Sequence, residues 1–314
     1  MSSYSTTTQG EPAPWRSLFL EHVQGMASPE FTLATVRLVK RQRRQGEASS
    51  PSPSEGKTAT AAVPRARTCV FRGLFAELPA NPRNEAERNP AGVYASDLPT
   101  FTTDVRMDKL AELFGEEVEE DDGGDGGASR SKPGTGGGGP VEATFWARRA
   151  GVQWRIRGRA YVLAPDVEDE RGEVSEGARE VVRALRARMR RVVSSEDGEK
   201  EKGWSFAREI TAHFGNVSPL MRGSFRNPAP GTPVALPVSD DRLGLGQEVA
   251  DLEDEVARAN FRVAVVVPDQ VDRTDLSDPR RARRWLYTFV GTGQEPSQPG
   301  GVVEAGWEKV EVWP

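Results

Sequence analysis

Hydrophobic positions along this chain recur with two periods, and the period that holds locally sorts the elements. Between residues 14 and 26, Trp15, Leu18, Phe19, His22, Val23 and Met26 fall three or four apart, which predicts a helix with one buried stripe. His22, on or beside that stripe, reads as a packed structural histidine. β-branched and aromatic runs then predict strands over 31–39, 67–72, 101–106, 141–148 and 153–163. Helical spacing returns at 107–114, 176–193, 204–214 and 243–259. The final third reads as strands over 261–267, 271–275, 284–290 and 307–313. These strands, with few helices between neighbours, favour an antiparallel barrel over a parallel sheet. The fold class is therefore mainly β with flanking helices.

Low-complexity stretches break the pattern without ending it. Residues 1–12 read as a disordered tail, and 13–314 as a single domain with inserts at 45–63, 116–140 and 194–203. The net charge of −5 comes from one insert, which holds Glu116, Glu117, Glu119, Glu120, Asp121, Asp122 and Asp125; without those seven the chain carries +2. That balance does not mark a surface for coating nucleic acid. The basic run 40–44 has no interleaved aromatics for base stacking and reads as a solvated hairpin end. A single cysteine, Cys69, excludes an internal disulfide and a cysteine zinc cluster. His22 and His213 form no metal-ligand pattern. No run of about 18 apolar residues spans a membrane. The N-terminus has no basic-then-apolar signal, so a cytoplasmic protein is expected. There is no G-x-G-x-x-G, no P-loop lysine and no G-x-S-x-G.

The candidate chemistry centres on Arg67-Thr68-Cys69-Val70-Phe71-Arg72, an apolar strand with an arginine at each end. Guanidiniums beside a buried strand need partners, and their forks match phosphate oxygens. Odd and even strand positions face opposite sides, so Arg67 and Arg72 diverge and touch different parts of a ligand, or different ligands. The plainer alternative is two surface arginines. Thr102, Thr103, Arg106 and Lys109 surround a predicted turn into a helix. They suit a phosphate site, or an ordinary N-capped helix. In 153–163, Gln153, Arg155, Arg157 and Arg159 face one side, while Trp154, Ile156, Gly158, Ala160 and Val162 face the other. Gln153 is placed to hydrogen-bond a heterocycle.

In this order the pieces resemble the pyridoxamine 5′-phosphate oxidase family of FMN-binding split β-barrels, in its branch of uncertain substrate. The resemblance rests on Pro14-Trp15-Arg16, Leu33-Ala34-Thr35-Val36, the stretch from Arg67 through Gly73, Thr102-Thr103-Asp104-Val105-Arg106, Gln153-Trp154-Arg155-Ile156-Arg157-Gly158, Ser224-Phe225 with Pro228-Ala229-Pro230-Gly231, and residues 280–314. It implies that Arg67, Thr68, Cys69 and Val70 line FMN, with Arg67 on its phosphate. Thr102 and Thr103 match an FMN-contacting pair, and Arg106 and Lys109 the phosphate-binding turn. Gln153 and Arg284 match flavin contacts. Arg72 stands where the oxidases keep a lysine facing the substrate phosphate, and Arg280 is the other substrate-side residue. The resemblance also implies a homodimer with FMN at the subunit interface. Three positions depart from the family: Ala282 replaces a histidine that helps hold the vitamin substrate, Thr274 replaces a tryptophan near the flavin, and Ser224 replaces a flavin-contacting glutamine.

Three functional classes remain open: an FMN-dependent oxidoreductase of unknown substrate, a non-catalytic flavin-binding or flavin-sensing protein, and a basic interaction module using 40–44, 179–191 and 280–284. No residue stands out as a catalytic acid or base.

Overall fold

The computed structural model describes residues 10–41, 59–119, 133–168, 174–192, 201, 203–238 and 240–314. The expected tail up to residue 9, most of the three inserts and the basic positions 42–44 lie outside the described residues.

Strands among the described residues are β1 (Glu30–Arg41), β2 (Ala59–Val70), β3 (Gly73–Leu74), β4 (Tyr94–Ser96), β5 (Pro99–Asp104), β6 (Glu117–Glu119), β7 (Gly136–Ala147), β8 (Val152–Leu163), β9 (Met189–Arg191), β10 (Phe261–Asp275), β11 (Arg283–Phe289), β12 (Val302–Glu304) and β13 (Trp307–Val312). The helices are α1 (Arg16–Gln24), α2 (Lys109–Phe114), α3 (Glu176–Arg186), α4 (Phe206–Asn216), α5 (Pro219–Gly223) and α6 (Glu255–Asn260).

An antiparallel ladder runs β10-β8-β7-β1-β2. Two residues beyond β2, β3 pairs with β5, and β5 pairs with β10, which closes the ring. The second half of β10 stays paired with β8 and, past the end of β5, carries β11, β13 and β12 as an extension of the wall.

Several elements differ from the sequence expectation. Residues 59–63 belong to β2, because the β1–β2 ladder runs unbroken from Glu30↔Val70 to Arg41↔Ala59. The expected insert 116–140 contributes β6 and the glycine-rich start of β7. Strands 261–267 and 271–275 are one strand. Pro268 is accommodated because the register shifts between Pro268 and Gln270, where a missing N–H costs no ladder bond. Opposite that bulge stands Gly158, where a Cβ would meet the Val267 carbonyl oxygen at 2.1 Å. The helix expected over 176–193 stops at Arg186, and Met189–Arg191 turns back to pair with Tyr94–Ser96. Arg190 fastens that return by donating to Asp97. Helix over 243–259 survives only as Glu255–Asn260.

Two apolar clusters sit on opposite sides of the barrel wall. The interior holds Phe31, Phe101, Phe145 and Trp154, and α1 adds Phe19, whose ring lies edge-on to Phe145 at 5.1 Å and to Trp154 at 5.6 Å. His22 of α1 accepts a hydrogen bond from Trp154 Nε1 at 3.1 Å, a structural role. Outside the wall, α3 packs beside β7 and β8, and α4 packs on β10. Ala264 and Val266 point into the barrel, whereas Val263 and Val265 join the helices. Both faces of β10 are thus buried, which explains its unbroken apolar run. Among the described residues, no helix is long and apolar enough to cross a membrane.

Candidate functional site

The pairing of β1 with β2 sets Phe31 opposite Cys69, Leu33 opposite Arg67 and Thr35 opposite Arg65. Phe31 and Leu33 face the barrel interior, so Cys69, Arg67 and Arg65 lie on that same side of the wall. Two guanidiniums are thereby turned toward the interior end that α2 covers. There α2 presents Glu112, whose side chain is 0% exposed. Its Oε2 accepts from Arg67 Nη2 at 2.5 Å and from Thr35 Oγ1 at 2.5 Å. Its Oε1 accepts from Arg37 Nε at 3.2 Å and has Arg65 Nε at 3.9 Å. Arg37 also pairs with Asp108 at 2.6 Å.

Lys109, one helical turn before Glu112, donates to Thr103 Oγ1 at 3.0 Å. Burial lowers the pKa of its ammonium, and the Arg67 cation pushes the same way. Burial raises the Cys69 thiol, against the pull of Lys109 and Arg67. Arg67, Cys69, Thr103 and Lys109 therefore share one microenvironment. Among the described residues, Arg37, Arg65, Arg67 and Lys109 face the carboxylates of Asp108 and Glu112 there, and Asp104, also near Lys109, is offset by its own partner Arg106. The surplus of two positive charges is the charge of a phosphate dianion with its sign reversed.

The other sequence candidates stand elsewhere. On β5, Phe101 points into the barrel, and by alternation so does Thr103, while Thr102 points out. Arg72 goes with Thr102, to whose Oγ1 its Nε donates at 3.3 Å. Burial lowers the Arg72 pKa. Arg67 and Arg72 thus occupy opposite sides of the wall, as the strand alternation requires, and the side chains of Thr102 and Thr103 project from opposite faces with them. Arg106 departs from expectation. Its guanidinium pairs with Asp104 at 2.6 Å and donates to the carbonyls of Asn227 at 2.9 Å and Phe225 at 3.3 Å. It braces β5 against the segment after α5, with four of its five N–H donors engaged there. α2 has six residues and no side-chain cap at Asp108, so the turn contributes through Lys109 rather than through a capped helix start.

Gln153 lies on the outer face of the sheet, in a cross-strand row with Trp146, Thr274 and Arg284. Trp146 is 44% exposed. Arg284 donates to Asp272 at 2.8 Å, and Arg155 grips the same carboxylate. Burial works to raise the Asp272 carboxyl, and the two arginines outweigh it and hold it below its ordinary value. Ser224 donates its hydroxyl to the Met221 carbonyl at 2.7 Å. Arg280 sits exposed in the β10–β11 turn, its backbone N–H bonded to Asp278. Arg37, Arg65 and Glu112 were not singled out by sequence reasoning. The alternation Arg65-x-Arg67 and the Lys109/Glu112 spacing of three were visible, but only the ladder register brings them together.

A second group of buried titratable residues lies outside the wall, behind Arg72. His213 of α4 has Nδ1 2.8 Å from the Glu209 carbonyl oxygen and Nε2 3.3 Å from Thr100 Oγ1. Burial pushes His213 down to about 4 and Glu209 up to about 7. Among the described residues no group of three or more His, Cys, Asp and Glu could hold a metal ion.

The chain is an antiparallel β-barrel with a surplus of positive charge gathered at one interior end, an arrangement whose chemistry suits an anion. The family model described as pyridoxamine 5′-phosphate oxidase, FMN-binding domain, matches residues 12–164. The matched stretch contains every residue of the cationic cluster and has the split-barrel fold of that family. Two crystal structures are similar to the chain. One is a pyridoxamine 5′-phosphate oxidase-related, FMN binding protein from Nostoc punctiforme PCC 73102, at 16% identity and a TM-score of 0.45, covering 97% of this chain and 100% of that one. The other is PhzG from Burkholderia lata 383 in complex with tetrahydrophenazine-1-carboxylic acid, at 12% identity and a TM-score of 0.35, covering 95% and 90%. No curated protein matches the chain.

Proposed function

We propose that this protein is a cytoplasmic, homodimeric FMN-dependent oxidoreductase whose flavin phosphate sits among Arg67, Lys109 and their neighbours. The observation that carries the reading is the surplus of two positive charges beside Glu112. The flavin supplies the redox chemistry, and the chain supplies grip and orientation. Arg67 and Lys109 hold the phosphate, and Thr103 holds the Lys109 ammonium in place. Thr68, Cys69 and Val70 line the strand beside them.

The dimer is supported by the faces on which the residues lie. Arg67 is on the interior side of the wall and Gln153 with Arg284 on the exterior. One flavin that meets both sets has to lie between two copies, with Trp146 near the seam. Arg72 with Thr102 forms the substrate side, together with Arg280. Ala282 in place of a histidine argues against the vitamin phosphate as the substrate, which stays unassigned.

Purified protein should carry a flavin spectrum or take up added FMN. Photoreduced flavin should then be reoxidised by a true substrate faster than by buffer and oxygen alone. A colourless protein that takes up no FMN overturns the reading. Bound flavin that stays inert to nicotinamide donors and small amines leaves the non-catalytic flavin-binding alternative.

A further inference from the structure

We propose that Glu112 sets how many negative charges the cationic recess accepts, matching it to a phosphate monoester and against a diphosphate. This rests on the anion site proposed above. The two carboxylates that face the four cations are unequal. Asp108 is 65% exposed, so water and salt screen it. Glu112 is fully buried, so its charge is felt nearly in full. Both of its oxygens are engaged, Oε2 by Arg67 and Thr35, and Oε1 by Arg37 with Arg65 nearby. The carboxylate cannot rotate away when an anion enters.

Glu112 also leaves room for a ligand. Arg67 donates one N–H to Thr35 and one to Glu112. Three of the five donors of its guanidinium remain. Glu112 therefore acts through Arg67 and Arg37 as a positioning residue that fixes both the fork and the net charge. A monoester brings about 1.5 to 2 negative charges at neutral pH, which balances the recess. A diphosphate brings more and leaves repulsion against the fixed carboxylate. Glu112→Gln keeps the shape and raises the surplus from two to three.

The test is calorimetric titration of flavin-free protein with inorganic phosphate and with pyrophosphate. It compares wild type, E112Q and E112D, with thermal melting of each. In E112Q the ratio of pyrophosphate to phosphate affinity should rise at least about tenfold. E112D, which keeps the charge, should keep the wild-type ratio. An unchanged ratio in E112Q overturns the inference, as does an equal shift in E112D. Failure of the wild type to bind either anion also overturns it. Should FMN fail to bind while the ratio moves as stated, the charge role of Glu112 stands and the flavin reading falls.

Discussion

Replacing Arg67 with methionine keeps the aliphatic stem and deletes the charge, so it isolates what the guanidinium does. Of its five N–H donors, two are taken by Thr35 and Glu112. A phosphate would receive two of the others as a fork. Charge-assisted bonds of this kind contribute about 1.5–3 kcal/mol each, so the pair is worth about 3 kcal/mol at the low end. That corresponds to a loss in FMN affinity of about 100-fold or more. The collateral cost to the fold is small. Glu112 keeps Arg37 and Thr35 as partners, so its buried carboxylate is not orphaned and stability should fall by only about 1–2 kcal/mol. The assay is flavin-fluorescence quenching with FMN and riboflavin in parallel, with urea unfolding as the fold control. Riboflavin affinity should stay within about twofold, because Arg67 meets only the phosphate. A folded R67M protein that loses less than about threefold in FMN affinity refutes the assignment, and so does equal weakening of both flavins.

The remaining predictions concern the other side of the wall and the fold. Arg72→Ala should retain FMN within about threefold, since Arg72 and Arg67 face opposite ways; flavin loss as large as in R67M would contradict the division. Trp146→Lys should shift the protein from dimer to monomer in sedimentation velocity and weaken FMN with it, and an unchanged dimer excludes the outer face as the seam. Gly158→Val should lower the melting temperature steeply or abolish folding, because its Cβ would collide with the Val267 carbonyl. The pH dependence of stability should show two opposed slopes. As pH falls from 6.5 towards about 4, the unfolded chain protonates its histidine while native His213 does not, and stability is lost. As pH rises from 4.5 towards about 7, the unfolded chain releases a proton that native Glu209 keeps, and stability is again lost. Each effect alone is on the order of 3 kcal/mol, and they cancel between about pH 4.5 and 6.5. Urea midpoints of wild type should be flat there, whereas His213→Gln should lose stability as pH rises; a flat profile in that variant disproves a protonated Glu209.

Much of the fold was legible because one face or one stripe of each element is buried. The α1 stripe through Phe19 and Val23, the alternation in β8 and the apolar run of β10 each betray their environment. The misreadings have physical causes. Residues 60–63 carry little apolar signal, and the ladder with β1 carries them into β2. Pro268 looked like a strand end until a bulge absorbed it. The amphipathic pattern continued to Val192, but the ion pair between Arg190 and Asp97 lies far apart in sequence and outweighed it. For the site, the divergence of Arg67 and Arg72 followed from strand alternation alone. The partnership of Arg37, Arg65 and Glu112 did not, because three elements must first come into register. Arg106 had the right residue type in the right turn, and only the structure places Asp104 and two carbonyls around it.

β10 is a hinge-pin for the architecture. Its first half is a stave of the barrel, and its second half bears every strand that follows. A chain cut just before residue 283 would keep all the ladders of the ring, yet Asp272 would lose one of its two arginine clamps and Trp285 would vanish from the interior. The carboxy-terminal apron is therefore a keystone of the wall: it lends Trp285, Tyr287 and Trp307 to the core and a guanidinium to Asp272.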